Sequence, residues 1–304
     1  MITTNQKEIV LITGASGMIS KYLSQLLIKN DYDVRFLSRT KVADNQFIWN
    51  IAKKYIDSNA LINVQHIIHL AGANISEKRW TKKRKKEILE SRVQSTQLLF
   101  DEVHKHQIKL KSFISASAVG YYGTANKEII FDEKSPNGND FLALVCKLWE
   151  QEANLFSTLH NTRVVKLRFG VVLDSADGAL AKIMKPISMG VGAVLGSGKQ
   201  YIPWIHQEDL CNLLLFALKN NELDGVYNAV APEHITNEEL TNLIAKKLHK
   251  TIWLPNAPSF ILKIVLGEMS SIILNGNMVS CKKLLSSQFT FKYPTIHKAL
   301  DNLL

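Results

Sequence analysis

The segment Glu8-Ile9-Val10-Leu11-Ile12-Thr13-Gly14-Ala15-Ser16-Gly17-Met18-Ile19-Ser20 constrains the fold more than any other part of the chain. Ile9 to Ile12 form an apolar run with β-branched residues, which reads as a buried parallel strand. The run breaks at Gly14, and Ile19, Leu23, Leu26 and Leu27 then recur at helical spacing. Strand, glycine turn and helix in this order are the setting in which a G-x-x-G-x-x-G pattern binds a dinucleotide. Gly14 permits the tight turn, and Gly17 lets backbone amides approach a pyrophosphate at the positive end of the helix. Ala15, Ser16, Met18 and Ile19 complete that candidate cradle. Ser20 holds the third glycine position, which predicts slightly wider spacing between helix and strand. The alternative is an ordinary strand-to-helix turn.

The first half of the chain continues this alternation. Asp33–Ser38, His66–Gly72, Leu110–Ser115 and Arg163–Arg168 read as strands, with helices over Lys86–Lys105 and Phe141–Leu159. Such alternation predicts a parallel sheet covered by helices on both faces, with ligands beyond the carboxyl ends of the strands at the switch point. After Gly170 the rhythm loosens; Val226–Val230 reads as one more strand, and from Asn237 the chain is mostly helical, with a turn at Pro255–Pro258. The expected fold is α/β: a Rossmann-type doubly wound parallel sheet with a smaller, mostly helical carboxyl-terminal lobe. Residues 1–172, rejoined by 205–232, form the nucleotide domain, and 173–204 with 233–304 form the lobe. A chain of 304 residues can bury such a core.

The second strand ends Leu37-Ser38-Arg39, with no carboxylate to accept the ribose hydroxyls of NAD. Arg39 instead suits a 2′-phosphate through a charge-assisted contact, which favours NADP over NAD. The alternative is a surface arginine; Asp44 stands too far along to take the acidic role. Leu70, Ala71 and Gly72, ending a later strand, are the opposite wall of the expected cofactor crevice.

The net charge of +10 raises the question of an anionic partner. Lys78 to Lys86 is basic at seven of nine positions, but Ile88, Leu89 and Val93 follow at helical spacing and Trp80 is its one aromatic residue. The run therefore reads as a solvated helix start, and neither nucleic acid nor a membrane is an expected partner. The amino terminus lacks a secretory pattern, and Phe260–Leu274 is interrupted by Lys263 and Glu268. Cys146, Cys211 and Cys281 have no metal-ligand spacing, which suits reduced thiols in a cytoplasm. His66, His69, His104 and His106 share no ligand spacing with carboxylates, so no metal is expected.

The glycine turn, His69–Gly72 and Phe113–Ser117 together resemble the extended short-chain dehydrogenase/reductase superfamily. The chain is most similar to its atypical subgroup of SDR39-type, epimerase-family proteins. Arg79-Trp80-Thr81, Ser91-Arg92-Val93, Ser115–Gly123, Asp140–Ala143, Val145-Cys146, Trp149-Glu150, Gly196-Ser197-Gly198 and Trp204-Ile205-His206 carry that likeness. In the typical superfamily, Ser or Thr, Tyr and Lys carry the chemistry, with Asn supporting a water-linked proton path. By this resemblance Ser117 takes the serine position, Leu142 the tyrosine position, Cys146 the lysine position and Arg92 the asparagine position. Leucine cannot exchange a proton, and a thiol lacks a lysine's charge and reach.

Replacement groups are then sought nearby. Tyr121 or Tyr122 would supply a phenol, against aromatic packing as the alternative. Cys146 would donate a proton if cations such as Arg92 lower its pKa; the alternative is a small buried side chain. Arg92 would bind an acidic substrate or stabilise an oxyanion, or else form a structural salt bridge. Ser115, Arg92 and Arg168 are placed with the cofactor, and His206 is expected to cap a helix with Asp209 as local partner. The reading is an NADP(H)-binding oxidoreductase of a small, anionic substrate, with a homodimer as candidate assembly. Its rival is an NADP(H)-binding regulatory or redox-sensing protein without turnover.

Overall fold

The computed structural model describes residues 7–124 and 129–304. In chain order the first elements are β1 (Ile9–Thr13), α1 (Met18–Lys29), β2 (Asp33–Ser38), β3 (Gln46–Asn50), β4 (Tyr55–Ile56), β5 (Val64–His69) and α2 (Lys82–Lys105). Next come β6 (Ser112–Ala118), β7 (Ile130–Phe131), α3 (Phe141–Asn154), β8 (Arg163–Phe169), β9 (Val171–Leu173), α4 (Gly178–Ser188), β10 (Trp204–His206) and α5 (Gln207–Lys219). The last are β11 (Gly225–Ala229), α6 (Asn237–Lys247), α7 (Ser259–Leu266), α8 (Ser271–Leu274), β12 (Met278–Val279), α9 (Lys282–Ser286) and α10 (Ile296–Leu303).

Eight strands form one sheet in the order β4–β3–β2–β1–β5–β6–β8–β11, parallel except for the β3–β4 edge. The chain winds outward from β1 to β4, returns to β5 on the other side of β1, and winds outward again. The order therefore reverses between β1 and β5, where a doubly wound sheet opens its ligand crevice. Side-chain alternation explains why β1 is apolar throughout: Val10 and Ile12 pack with Leu23 and Leu27 of α1 and Leu213 and Leu214 of α5. Ile9 and Leu11 pack on the other face with Leu98, Leu99 and Val103 of α2 and Ala153 of α3.

A third apolar cluster joins α4, α6 and α10 through Leu180, Ile187, Leu240, Ile244, Ile296 and Leu300. The lobe is not independent of the sheet. Val279, Cys281, Leu284, Phe289 and Phe291 belong to the cluster around α1 and α5, and β12 pairs with β7. The apolar side chains of this return segment thus bury against the nucleotide domain rather than within the lobe.

Three local differences from expectation have simple causes. The basic run does start a helix, but at Lys82, because Thr81 caps it by accepting from the Arg84 amide at 3.1 Å. Arg84 turns inward and pairs with Glu77 and Glu87. The helix from Phe141 ends at Asn154 and tightens into a 3₁₀ turn over Leu155–Thr158. β3 and β4 carry one buried residue each, Trp49 and Ile56, too little pattern to reveal them in the sequence.

Candidate functional site

Gly14 has φ +80°, and a β-carbon there would meet the Ala71 backbone at 3.4 Å. The left-handed φ is what favours glycine here, and the small residue also leaves room where the β1 and β5 ends come together. The turn closes through Gly17 N–H to Gly14 O at 2.9 Å. Ser20, at the third glycine position, is buried and donates its hydroxyl to Gly14 O at 2.8 Å, so it ties α1 to the turn. Gly17 is the N-cap of α1 and makes no side-chain cap bond. The other five helices longer than ten residues are capped by Thr81, Asp140, Asp177, His206 and Thr236. The first amides of α1, beside exposed Ser16 and Gly17, thus keep donors for an anion.

One buried histidine fastens the crevice. Thr13 Oγ1 accepts from the Leu70 and Ala71 amides at 3.0 Å each, which commits its own proton to His69 Nδ1 at 2.8 Å. That assigns the His69 proton to Nε2, which faces Thr96 Oγ1 at 3.0 Å and Ser95 Oγ at 3.2 Å. Burial, then the Arg92 charge, push the His69 pKa down to about 3, so the ring stays neutral. The sequence shows His69 only as a residue of the His66–Gly72 strand without metal-ligand spacing, and nothing in it announces this fastening role.

The β1–β2 register pairs Thr13 with Leu37, so Ser38, the last residue of β2, and Arg39 just beyond it stand beside the glycine turn. Arg39 is exposed and makes no ion pair among the described residues. On the other wall, a β-carbon at Gly72 would sit 2.9 Å from the Arg92 guanidinium. Arg92 is half-buried, donates to the Ala73 and Ile88 carbonyls at 3.1 and 3.0 Å, and lies 5.2 Å over the Trp149 ring. The expected alternative of a salt bridge is not what holds it: no carboxylate pairs with Arg92 among the described residues. Gly14 to Ile19, Ser38, Arg39, Leu70 to Gly72 and Arg92 thus stand around the switch point between β1 and β5.

The remaining candidates are placed differently. Ser115, paired with His69 across β5–β6, is buried and turns its hydroxyl to its neighbour's carbonyl, Ala116 O, at 2.9 Å. Ser117 is 2% exposed and donates to Glu150 Oε1 at 2.7 Å. Arg168, placed with the cofactor by the sequence reading, instead grips Glu150 through Nε at 2.8 Å and Nη2 at 2.9 Å. Its Nη1 reaches the Tyr122 hydroxyl at 3.0 Å, and that hydroxyl donates to Asn228 Oδ1 at 2.6 Å. Burial opposes the Arg168 charge, but the Glu150 hydrogen bonds and charge prevail and raise its pKa. Burial pushes the Tyr122 phenol up to about 12. A charged residue in a buried strand requires a counter-charge; Arg168 among Leu167 and Phe169 was the one sequence signal for this network.

Cys146 corrects another expectation. It is 4% exposed, and burial, then Glu150, push its thiol up to about 12 against the opposing pull of Arg92. It is a buried packing residue, 3.8 Å from where a Gly120 β-carbon would stand. Tyr121 differs from Tyr122: it is half-buried, its hydroxyl has no hydrogen-bond partner among the described residues, and Arg168 stacks 3.4 Å over its ring. His206 does cap α5, accepting from the Glu208 amide at 3.1 Å. Its ring stacks on Tyr293 at 3.8 Å, whereas Asp209 accepts from the Lys292 and Tyr293 amides.

A cleft of about 610 Å³ opens between Trp80, Phe141 and Leu142 on the sheet side and Ser259, Lys263 and Gly267 opposite. Leu142 leads the α3 face that also carries Cys146 and Glu150, so the cleft reaches the position where the resemblance expects the reacting group.

A doubly wound parallel sheet with a glycine turn at its switch point is the Rossmann-type architecture of nucleotide-binding proteins. The family model described as the NAD dependent epimerase/dehydratase family matches residues 10–230, and the chain belongs to that family. A second model, described as a domain of unknown function (DUF1731), matches residues 257–303. The chain is 36% identical over 312 residues to the epimerase family protein SDR39U1 homolog, chloroplastic, of Arabidopsis thaliana, covering 99% of this chain and 88% of that protein. It is 32% identical over 299 residues to epimerase family protein YfhF of Bacillus subtilis, covering 97% of each. Its fold is similar to the crystal structure of human epimerase family protein SDR39U1 (isoform 2) with NADPH: TM-score 0.88, 31% identity, 97% of this chain and 98% of that one.

Proposed function

We propose that this protein is an NADP(H)-dependent oxidoreductase acting on a small anionic carbonyl compound or the corresponding alcohol. The carrying observation is the uncapped amino end of α1 at the switch point, beside Arg39, which is exposed and unpaired among the described residues. The NADPH in the human relative's crystal structure supports the choice of nucleotide. In this reading the Gly14–Ile19 amides hold the diphosphate, Ser38 and Arg39 hold the 2′-phosphate, and Leu70–Gly72 line the opposite wall. The bound nucleotide supplies or accepts the hydride. Arg92 adds positive charge beside the crevice, and Tyr121 passes a proton to or from the reacting oxygen. Ser117 contributes by bracing Glu150, because its proton is already donated there. Three buried, unpaired thiols fit a reducing, cytoplasmic setting.

The test is NADPH oxidation against a panel of small carbonyl acids, with calorimetry for NADPH and NADH. Tyr121→Phe should abolish turnover and leave NADPH affinity intact. Loss of NADPH binding in that variant would instead make Tyr121 part of the nucleotide site. A second reading, an NADP(H)-binding regulator without turnover, is favoured by Leu142 and Cys146 at the expected pair positions and by the engaged Ser117. Tight NADPH binding with no oxidation across the panel would select it, and no heat with either nucleotide would overturn both.

A further inference from the structure

Helix α7 is eight residues long, and none of them is buried. Phe260 is 64%, Ile264 70% and Val265 58% exposed, and Ile261 completes the same face at positions i, i+1, i+4 and i+5. Trp253, 68% exposed, precedes the helix. A contiguous aliphatic and aromatic face left in water marks an interaction surface.

The basic run reaches the turn that ends this helix. The Arg79 guanidinium is 3.2 Å from where a β-carbon of Gly267, the residue capping α7, would stand, and Lys85 pairs with Glu268. The nearby carboxylates are neutralised: Glu77 and Glu87 by Arg84, and Glu268 by Lys85. Arg79, Lys82, Lys83 and Lys263 are exposed and make no ion pair among the described residues. An apolar helix face thus stands beside a set of uncompensated cations.

We infer that α7 and the Lys78–Lys86 run form a docking surface for an anionic lipid membrane. The sequence argues against a membrane from the solvated reading of the charge run and from Lys263 and Glu268, which interrupt Phe260–Leu274 as a spanning segment; the fold adds an exposed apolar face beside that run. An apolar face plus a basic patch is the two-signal combination that holds a protein on a bilayer surface. No helix among the described residues is long and apolar enough to cross a membrane, and α7 spans only about 12 Å, so the contact lies on the surface. A second copy fits less well, because a two-fold contact through this face brings the same cations against each other. A nucleic acid would use the cations and leave Phe260 and Ile264 in water.

The test is co-sedimentation of the full chain with vesicles of phosphatidylcholine, with and without phosphatidylglycerol. Binding should require phosphatidylglycerol and weaken with salt, with a blue shift of tryptophan emission. The double variant Phe260→Asn, Ile264→Asn should bind at least tenfold more weakly at an unchanged thermal midpoint. The double variant Lys82→Gln, Lys83→Gln should lose about fivefold per cation removed. Three results would overturn the proposal: no sedimentation with anionic vesicles at low salt, sedimentation indifferent to the Phe260 and Ile264 changes, or a dimer in light scattering that those changes dissociate.

Discussion

The carboxyl ends of β1, β2 and β5 and those of β6, β8 and β11 lie in one sheet but treat polar groups in opposite ways. At the first set, the α1 amides, Arg39 and Arg92 have no carboxylate partner among the described residues, and a glycine turn keeps side chains out of the way. At the second set, Ser117, Glu150, Arg168, Tyr122 and Asn228 satisfy one another inside the protein. The difference separates two roles that the family resemblance assigns to neighbouring loops. Free donors around a cavity suit a ligand, whereas a closed network braces the sheet and has nothing left to give.

The largest expected effect breaks the closed side. Arg168→Met strands the Glu150 carboxylate in a buried site and should cost about 3–5 kcal/mol in urea unfolding. Adding Glu150→Gln should recover part of that loss; no loss in the single variant would mean the network is dispensable. Arg39→Asp probes the open side. It should leave stability within about 0.5 kcal/mol yet weaken NADPH binding by about 1.5–3 kcal/mol, with little change for NADH. Equal weakening of both nucleotides would remove the basis for the NADP assignment.

The histidine joining β1 to β5 gives a pH signature. His69 is held neutral with its pKa lowered from 6.5 to about 3, so below pH 6.5 the unfolded chain takes up a proton that the folded chain refuses. Stability from this group is complete above pH 6.5 and falls as pH falls, by about 2 kcal/mol on reaching pH 5. His69→Gln should flatten the unfolding profile between pH 7 and pH 5 by that amount, and an unchanged slope would mean the ring is not sealed from water. The smallest effect is Ser117→Ala, about 1 kcal/mol of stability. If that variant kept its stability but lost turnover, the serine would belong to the open side after all.

Most of the crevice was legible because it rests on local chemistry. Gly14, Gly17 and the apolar run before them announce strand, turn and helix, and Arg39 at the end of the next strand follows from the same reading. The Ser117–Glu150–Arg168 network was not legible, since its members are 18 and 33 residues apart and meet only through β-register and the α3 face. Cys146 shows the same limit: a nearby cation suggested a lowered pKa, but burial beside Glu150 acts the other way. The segment Val279–Phe291 reads as part of a helical lobe, yet its aromatic side chains find their burial against α5.

The sequence by itself determined the sheet class, the glycine turn and the side of the sheet on which a nucleotide belongs. Those follow from hydrophobic period, from a backbone conformation that only glycine adopts readily, and from the handedness of βαβ units. The tertiary structure alone decided which polar groups stay free. Whether a serine, a thiol or an arginine can do chemistry depends on what the fold places within hydrogen-bond distance and how much water it leaves there.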